Sequence, residues 1–262
     1  MSVPIAYSEL PLPEFLAPFV RRVLVASLDE AKTVTIPARP TGYCYVGWVA
    51  QGQAIARANE REFRIATDHY HLSGNLTTFD AEYSLFGPAK HLLAECTAVG
   101  AHRLMKRDLR DLVNVIEFAP FESGTGTDQE RFIDLLTSLV ADCGPDEPLV
   151  ERAARQIEAS HGLLSIAGLA QELGVSERQL HRQFSKVTGL SPKAFATVQK
   201  VLFALGRLSA DPTPSLADVA AEAGFTDQAH FTKYFSRYIG ATPAKLELDD
   251  DGVLRTIVLG AK

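Results

Sequence analysis

The chain has 262 residues, 46% hydrophobic and 22% charged, which is enough for one large or two ordinary globular domains. Its net charge of −6 gives by itself no hint of a nucleic-acid partner. No apolar run approaches the ~18 residues that a membrane helix needs, which excludes that class of protein. The opening residues, MSVPIAYSELPLPEF, lack a basic region followed by an apolar one, so no signal peptide and a cytoplasmic location are expected. Cys44, Cys96 and Cys143 make no CxxC pair and no metal spacing, so they read as reduced thiols.

Residues 1–118 read as mostly strands. Thr33 to Ile36 is β-branched, and Tyr43 to Ala50 is short and aromatic. Ala54 to Arg57, Phe63 to Ala66 and His69 to Leu72 follow, separated by Gly, Asn and Asp. Many short strands with glycine turns predict a small barrel or sandwich. A helix is expected over Val99 to Met105. Residues 119–127 read as a loop. Asp128 to Val140 then carries Phe132, Leu135, Leu136, Leu139 and Val140 at helical spacing. Gly144-Pro145-Asp146-Glu147-Pro148 is the expected domain boundary, because its prolines cannot continue a helix.

Beyond that boundary, Val150, Ala153, Ala154 and Ile157 predict an amphipathic helix, and Ser165 can cap a second. Ser176 with Gln179 reads as a capping box that opens a third. Ser191-Pro192 opens a long helix striped by Phe195, Val198, Leu202, Leu205 and Leu208, which Asp211-Pro212 and Pro214 should end. Ser215 with Asp218 caps the next helix, and Asp227 caps the last, expected over Asp227 to Tyr238.

These helices contain a repeat. LAQELGVSERQLHRQFSKVTGLSPKAF (Leu169 to Phe195) matches AAEAGFTDQAHFTKYFSRYIGATPAKL (Ala220 to Leu246). Gly174 corresponds to Gly224 at an offset of 50. Leu180, Phe184, Gly189 and Pro192 correspond to Phe231, Phe235, Gly240 and Pro243 at an offset of 51, so the second turn has gained one residue. Helix, glycine turn, then a helix with apolar anchors four apart is the pattern of a helix-turn-helix. Residues 149–248 hold 11 Lys/Arg against 9 Asp/Glu, net +2, while the remainder holds 15 against 23, net −8. That sign favours DNA at the C-terminal end.

On these motifs the last third of the chain resembles the DNA-binding domain of the AraC/XylS family of bacterial transcription regulators. The resemblance implies two helix-turn-helix units joined by a long central helix, behind an N-terminal domain that senses or dimerises. The expected fold class is therefore α+β. A mostly-β, barrel-like (cupin-like) sensory domain spans 1–118, and a linker with a helix spans 119–148. An all-α double helix-turn-helix domain spans 149–248, and a tail spans 249–262. The expected function is sequence-specific regulation of transcription, with double-stranded DNA as partner and a small-molecule effector. RNA polymerase and a second copy of the chain are the further partners.

In the first recognition helix Arg178, His181 and Arg182 project away from Leu180 and Phe184 and are expected to read bases. In the second, matching the family motif puts Gln228, Ala229, His230, Thr232 and Lys233 toward the groove. Lys186 and Arg237 are better placed for phosphate, or are ordinary solvated charges. Tyr43, Tyr45, Trp48, His69, His71, Tyr83 and His91 are candidate walls of an effector pocket, with ordinary core packing as the alternative.

Two other readings of the N-terminal domain stay open: a ligand-free dimerisation or interaction module, and a metal-binding barrel using His69 and His71. The latter lacks the following glutamate of metal-binding cupins; Asn75 and Leu76 stand there instead. No Gly-x-Ser-x-Gly, P-loop or dinucleotide fingerprint is present, so no catalytic residue and no cofactor is expected.

Overall fold

The computed structural model describes residues 5–58, 60–78, 81–122, 124–210 and 215–246. The expected tail, 249–262, and the prolines at 212 and 214 lie outside the described residues. Among the described residues no helix is long and apolar enough to cross a membrane.

The first half is one antiparallel sheet of eight strands: β1 (Ala6–Leu10), β2 (Val20–Leu28), β3 (Thr33–Ala38), β4 (Tyr45–Ala58), β5 (Arg61–Ile65), β6 (His69–Ser73), β7 (Ala81–Cys96) and β8 (Ile116–Pro120). Two long strands, β4 and β7, pair along their length and form its spine. β2 and β3 share the outer edge of β7, and β5 and β6 share the outer edge of β4. The path runs β1-β2-β7-β4-β6-β8 without closing among the described residues, so the sheet is only loosely barrel-like.

The two runs around Gly52 thus belong to one strand rather than two. The β4–β7 register shifts between Val49 and Gln53, a bulge that bends the strand without ending it. Strand β8 also carries the sheet two residues past position 118.

One face of the sheet is covered by helices. Val23, Val25, Val46, Trp48, Leu72, Leu92 and Ala94 pack with Ala101 and Leu104 of α1 (Gly100–Met105) and with Phe132, Leu135 and Leu136 of α2 (Asp128–Ala141). Thr127 and Glu130 make a reciprocal capping box at the start of α2. The apolar stripe of α2 is spent on its own sheet. The other face surrounds a cavity.

The second half is helical: α3 (Pro148–Ala159), α4 (Ile166–Glu172), α5 (Glu177–Thr188), α6 (Pro192–Ala210), α7 (Leu216–Glu222) and α8 (Gln228–Ile239). Each repeat has its own core. Leu169, Leu180, Phe184, Val187 and Phe195 lie in the first, and Val219, Phe231, Phe235 and Ile239 in the second. Helix α6 serves both: Phe195 and Ala196 enter the first core, and Val198, Val201, Ala204, Leu205 and Leu208 the second.

Caps fall where the sequence puts them. Ser165, Ser176, Ser215 and Asp227 each accept a backbone N–H of the helix they open; for Asp227 the donor is His230 at 2.7 Å. Caps Ser176 and Asp227 confirm the extra residue in the second turn. Both turns pass through a left-handed glycine, Gly174 (φ 71°) and Gly224 (φ 68°).

Phe231 has no exposed surface, and Phe231→Ala should cost about 3–5 kcal/mol of unfolding free energy. Urea unfolding checks this, and an unchanged midpoint would contradict the packing described. Asp227→Ala removes a cap and should cost about 1 kcal/mol in the same measurement.

Candidate nucleic-acid interface

Packing decides which side of each recognition helix is free. In α5, Leu180, Phe184, Val187 and Thr188 are buried, which leaves Arg178, His181, Arg182 and Lys186 exposed along one stripe. The N-terminal half of the helix, which carries the two arginines and His181, is therefore the accessible half.

In α8, Phe231, Phe235, Tyr238 and Ile239 are buried, while Gln228, Ala229 and Lys233 are exposed and Thr232 half-buried. Gln228, Ala229, Thr232 and Lys233 together line one open surface depression. His230 is exposed on the flank, its ring 5.7 Å edge-on from Phe225 and 5.0 Å edge-on from Tyr234. Arg237 is engaged elsewhere: its Nε donates to the Thr77 carbonyl at 3.1 Å, tying α8 to the N-terminal domain.

The sheet domain grips both recognition helices at equivalent points. Asn75 Nδ2 donates to the carbonyl of Thr188, the last residue of α5, at 2.7 Å. Arg39 Nε donates to the carbonyl of Ile239, the last residue of α8, at 3.3 Å. The last turn of a helix leaves carbonyls without intrahelical partners, and a cation there also meets the negative end of the helix dipole. Asn75 and Arg39 are interdomain contacts that sequence reasoning missed, because nothing local distinguishes them.

A third contact joins the sheet domain to α3 and α6. Tyr43 packs edge-on against Phe195 at 5.8 Å, donates to Glu158 Oε1 at 2.7 Å, and accepts from Arg21 at 2.7 Å. Arg21 and Arg22 both reach the buried Glu95 at 2.9 Å, which also accepts from Tyr45 at 2.8 Å. Burial, with Glu158 beside it, pushes the Tyr43 hydroxyl well above its ordinary pKa, and burial with Glu95 does the same to Tyr45, so both act as neutral donors.

The cavity lies behind this interface, on the sheet face opposite α1 and α2. Its volume is about 140 Å³, and its walls are almost wholly apolar. Tyr43, Tyr45, His71, Tyr83 and His91 line it. Trp48 does not. With a period of two, Val46 and Trp48 face the helices, where Trp48 donates to the Thr67 carbonyl and packs on Phe121. His69 does not either: it sits half-buried at the start of β6, outside the cavity lining and bonded to Asp68 at 2.8 Å, so the two histidines of the HxH do not share a site.

The partner of His71 is instead His91, with their Nε2 atoms 2.9 Å apart. Burial lowers the pKa of His71 to about 3, and burial together with His71 lowers that of His91 well below the usual value, so both rings are neutral near pH 7. Among the described residues no three His, Cys, Asp or Glu gather at a metal-binding spacing. Cys44 is buried, which raises its thiol to about 12.

Comparison with known proteins places the helical half. The family described as "Helix-turn-helix domain" matches residues 169–247. The virulence regulon transcriptional activator VirF of Yersinia enterocolitica is 32% identical over 83 residues, 32% of this chain and 30% of that protein. The transcriptional activator RhaS of Escherichia coli is 31% identical over 87 residues, 33% and 31% of the two chains. The chain thus spans about a third of the length of the curated relatives it matches. ToxT of Vibrio cholerae overlaps 85% of this chain and 96% of its own at 10% identity and a TM-score of 0.47, too loosely to say what the sheet domain binds. Residues 169–247 of this chain thus carry a helix-turn-helix domain, the same stretch whose motifs resemble the AraC/XylS regulators.

Proposed function

We propose that this protein is a sequence-specific DNA-binding regulator of transcription whose affinity is set by a small molecule in the sheet-domain cavity. The observation that carries it is the pair of recognition helices, α5 and α8, each with its N-terminal half exposed and both built on the single helix α6. A 19-residue helix is about 28 Å long, which suits two recognition helices entering successive major grooves one turn, about 34 Å, apart. That the similar VirF and RhaS are named transcriptional activators supports the reading.

Arg178 and Arg182 stand one helical turn apart and suit bidentate pairing with guanine; His181 lies beside them. Gln228 suits adenine, Ala229 a thymine methyl, and Thr232 and Lys233 the adjoining base edges or phosphates. His230 contributes from the flank. Lys186 is a phosphate contact, and Arg237 becomes one only when it leaves Thr77.

The effector acts through the cavity wall. Arg39, Thr41, Tyr43 and Tyr45 at one end, and Ser73 and Gly74 beside Asn75, belong both to that wall and to the segments that hold α5 and α8. A ligand that shifts these segments changes the relative placement of the two helices, and so their joint fit to DNA.

Selection of genomic fragments on the purified protein, followed by footprinting, tests the regulator reading. A footprint of about two helical turns on one face of the duplex is the expected result; binding with no preferred site at any salt concentration would refute it. Arg182→Ala should lose about 1–3 kcal/mol of discrimination at one base position, seen as relaxed sequence preference in competition binding. Lys186→Ala should weaken all sequences alike and reduce the slope of log K against log salt by about one.

A further inference from the structure

The geometry points to a definite class of ligand for the cavity: a small uncharged molecule of about one ring, largely apolar, with one oxygen that accepts a hydrogen bond from Tyr83. This rests on the proposed reading of the sheet domain as the sensor.

Size is the first constraint. At about 140 Å³ the cavity compares with apolar cavities of about 150 Å³ that take up benzene. Ile36, Ala56, Leu85 and Leu93 are among its apolar walls, so most of the ligand must be hydrocarbon.

The polar end is set by the two imidazoles. His71 lies opposite Gly47 of β4 and reaches over it to His91, which pairs with Val49 on the far side of the same strand; a methyl group at position 47 would run into the His71 ring. Two neutral rings joined Nε2 to Nε2 need one proton between them. Ser73 Oγ lies 3.1 Å from His71 Nδ1. Donation from Ser73 to that nitrogen leaves the His71 Nε2–H to donate to His91 Nε2, and the chain is satisfied without charge.

Tyr83 stacks on His91 with centroids 4.9 Å apart, and its hydroxyl lies 3.4 Å from the same His91 nitrogen, a long contact to an atom already bonded. That hydroxyl is the donor best placed to turn to a ligand. Burial holds it neutral.

Charge is selected against. A carboxylate beside the imidazoles would meet two rings that burial holds neutral, His71 to about 3, and so no cation to pair with there. Of the arginines among the lining residues, Arg57 is paired with Glu62 and Glu82, and Arg39 turns its Nε to the carbonyl that ends α8.

Calorimetric titration of the full chain at pH 7 with phenol, toluene and benzoate tests the assignment. Phenol should bind one per chain, toluene about tenfold more weakly for want of the hydrogen bond, and benzoate not measurably at the same concentrations. Tyr83→Phe should bring phenol to the level of toluene and leave toluene unchanged. Gly47→Ala should weaken both, and its circular dichroism and melting curve will show that the sheet has folded. Benzoate binding as tightly as phenol, no heat from phenol or toluene, or an unaltered phenol affinity in Tyr83→Phe would each overturn the assignment. Footprinting of the protein without and with the probe separates the two failures. A footprint without probe binding sinks only the ligand class, and probe binding with a footprint in neither state sinks the regulator.

Discussion

Phe195 is where the parts of this molecule meet. It has no exposed surface, opens the central helix α6, and lies 5.5 Å from Phe184 of the first recognition helix and 5.8 Å from Tyr43 of the sheet domain. A buried aromatic contributes large area and a fixed orientation at once. The neighbouring backbone is fitted to it: a side chain on Gly42 would press on the same ring. One phenyl group therefore sets the first helix-turn-helix against α6, and α6 against the sheet. The polar contacts of Tyr43, Arg21 and Glu158 gather around that packed centre, where partial burial makes them directional.

The helical half was legible because its determinants are local. A capping side chain, a left-handed glycine and apolar residues four apart act within a turn or two, and the repeat states each of them twice. Even the extra residue before Asp227 could be read. The sheet was legible only in part. Gly52 looks like a turn between two strands, yet the chain continues through it as a bulge, because β7 is long enough to pair on both sides. Strands β1, β2, β7 and β8 have no short β-branched run bounded by glycine to mark them.

The cavity shows the same limit. Sequence placed Tyr45, His71, Tyr83 and His91 among the candidate walls, but placed Trp48 and His69 there as well. Which face Trp48 takes depends on pairing with Tyr70 and Leu92, and helix α2 claims that face from 80 residues further on. The partner of His71 lies 20 residues away on another strand, and the space for it comes from a glycine on a third. Asn75 and Arg39 reach carbonyls 113 and 200 residues distant, which no local pattern can encode.

Where the sheet domain holds the recognition helices also constrains how it can control them. Thr188 and Ile239 are equivalent residues of the two repeats and lie at the C-terminal ends of α5 and α8. The N-terminal halves, with Arg178, Arg182, Gln228 and Lys233, stay clear of the sheet. A domain that worked by covering the DNA surface would have to contact those ends instead. Gripping both helices at their far ends leaves the reading residues open and acts on the geometry between them. Two recognition helices bind one duplex well only if both reach their grooves together, so a small change in their relative placement costs the joint contribution while leaving each helix intact. On this reading the cavity needs no route to the reading residues. It needs only to move the segments that carry Arg39 and Asn75, which are its own walls and their immediate neighbours.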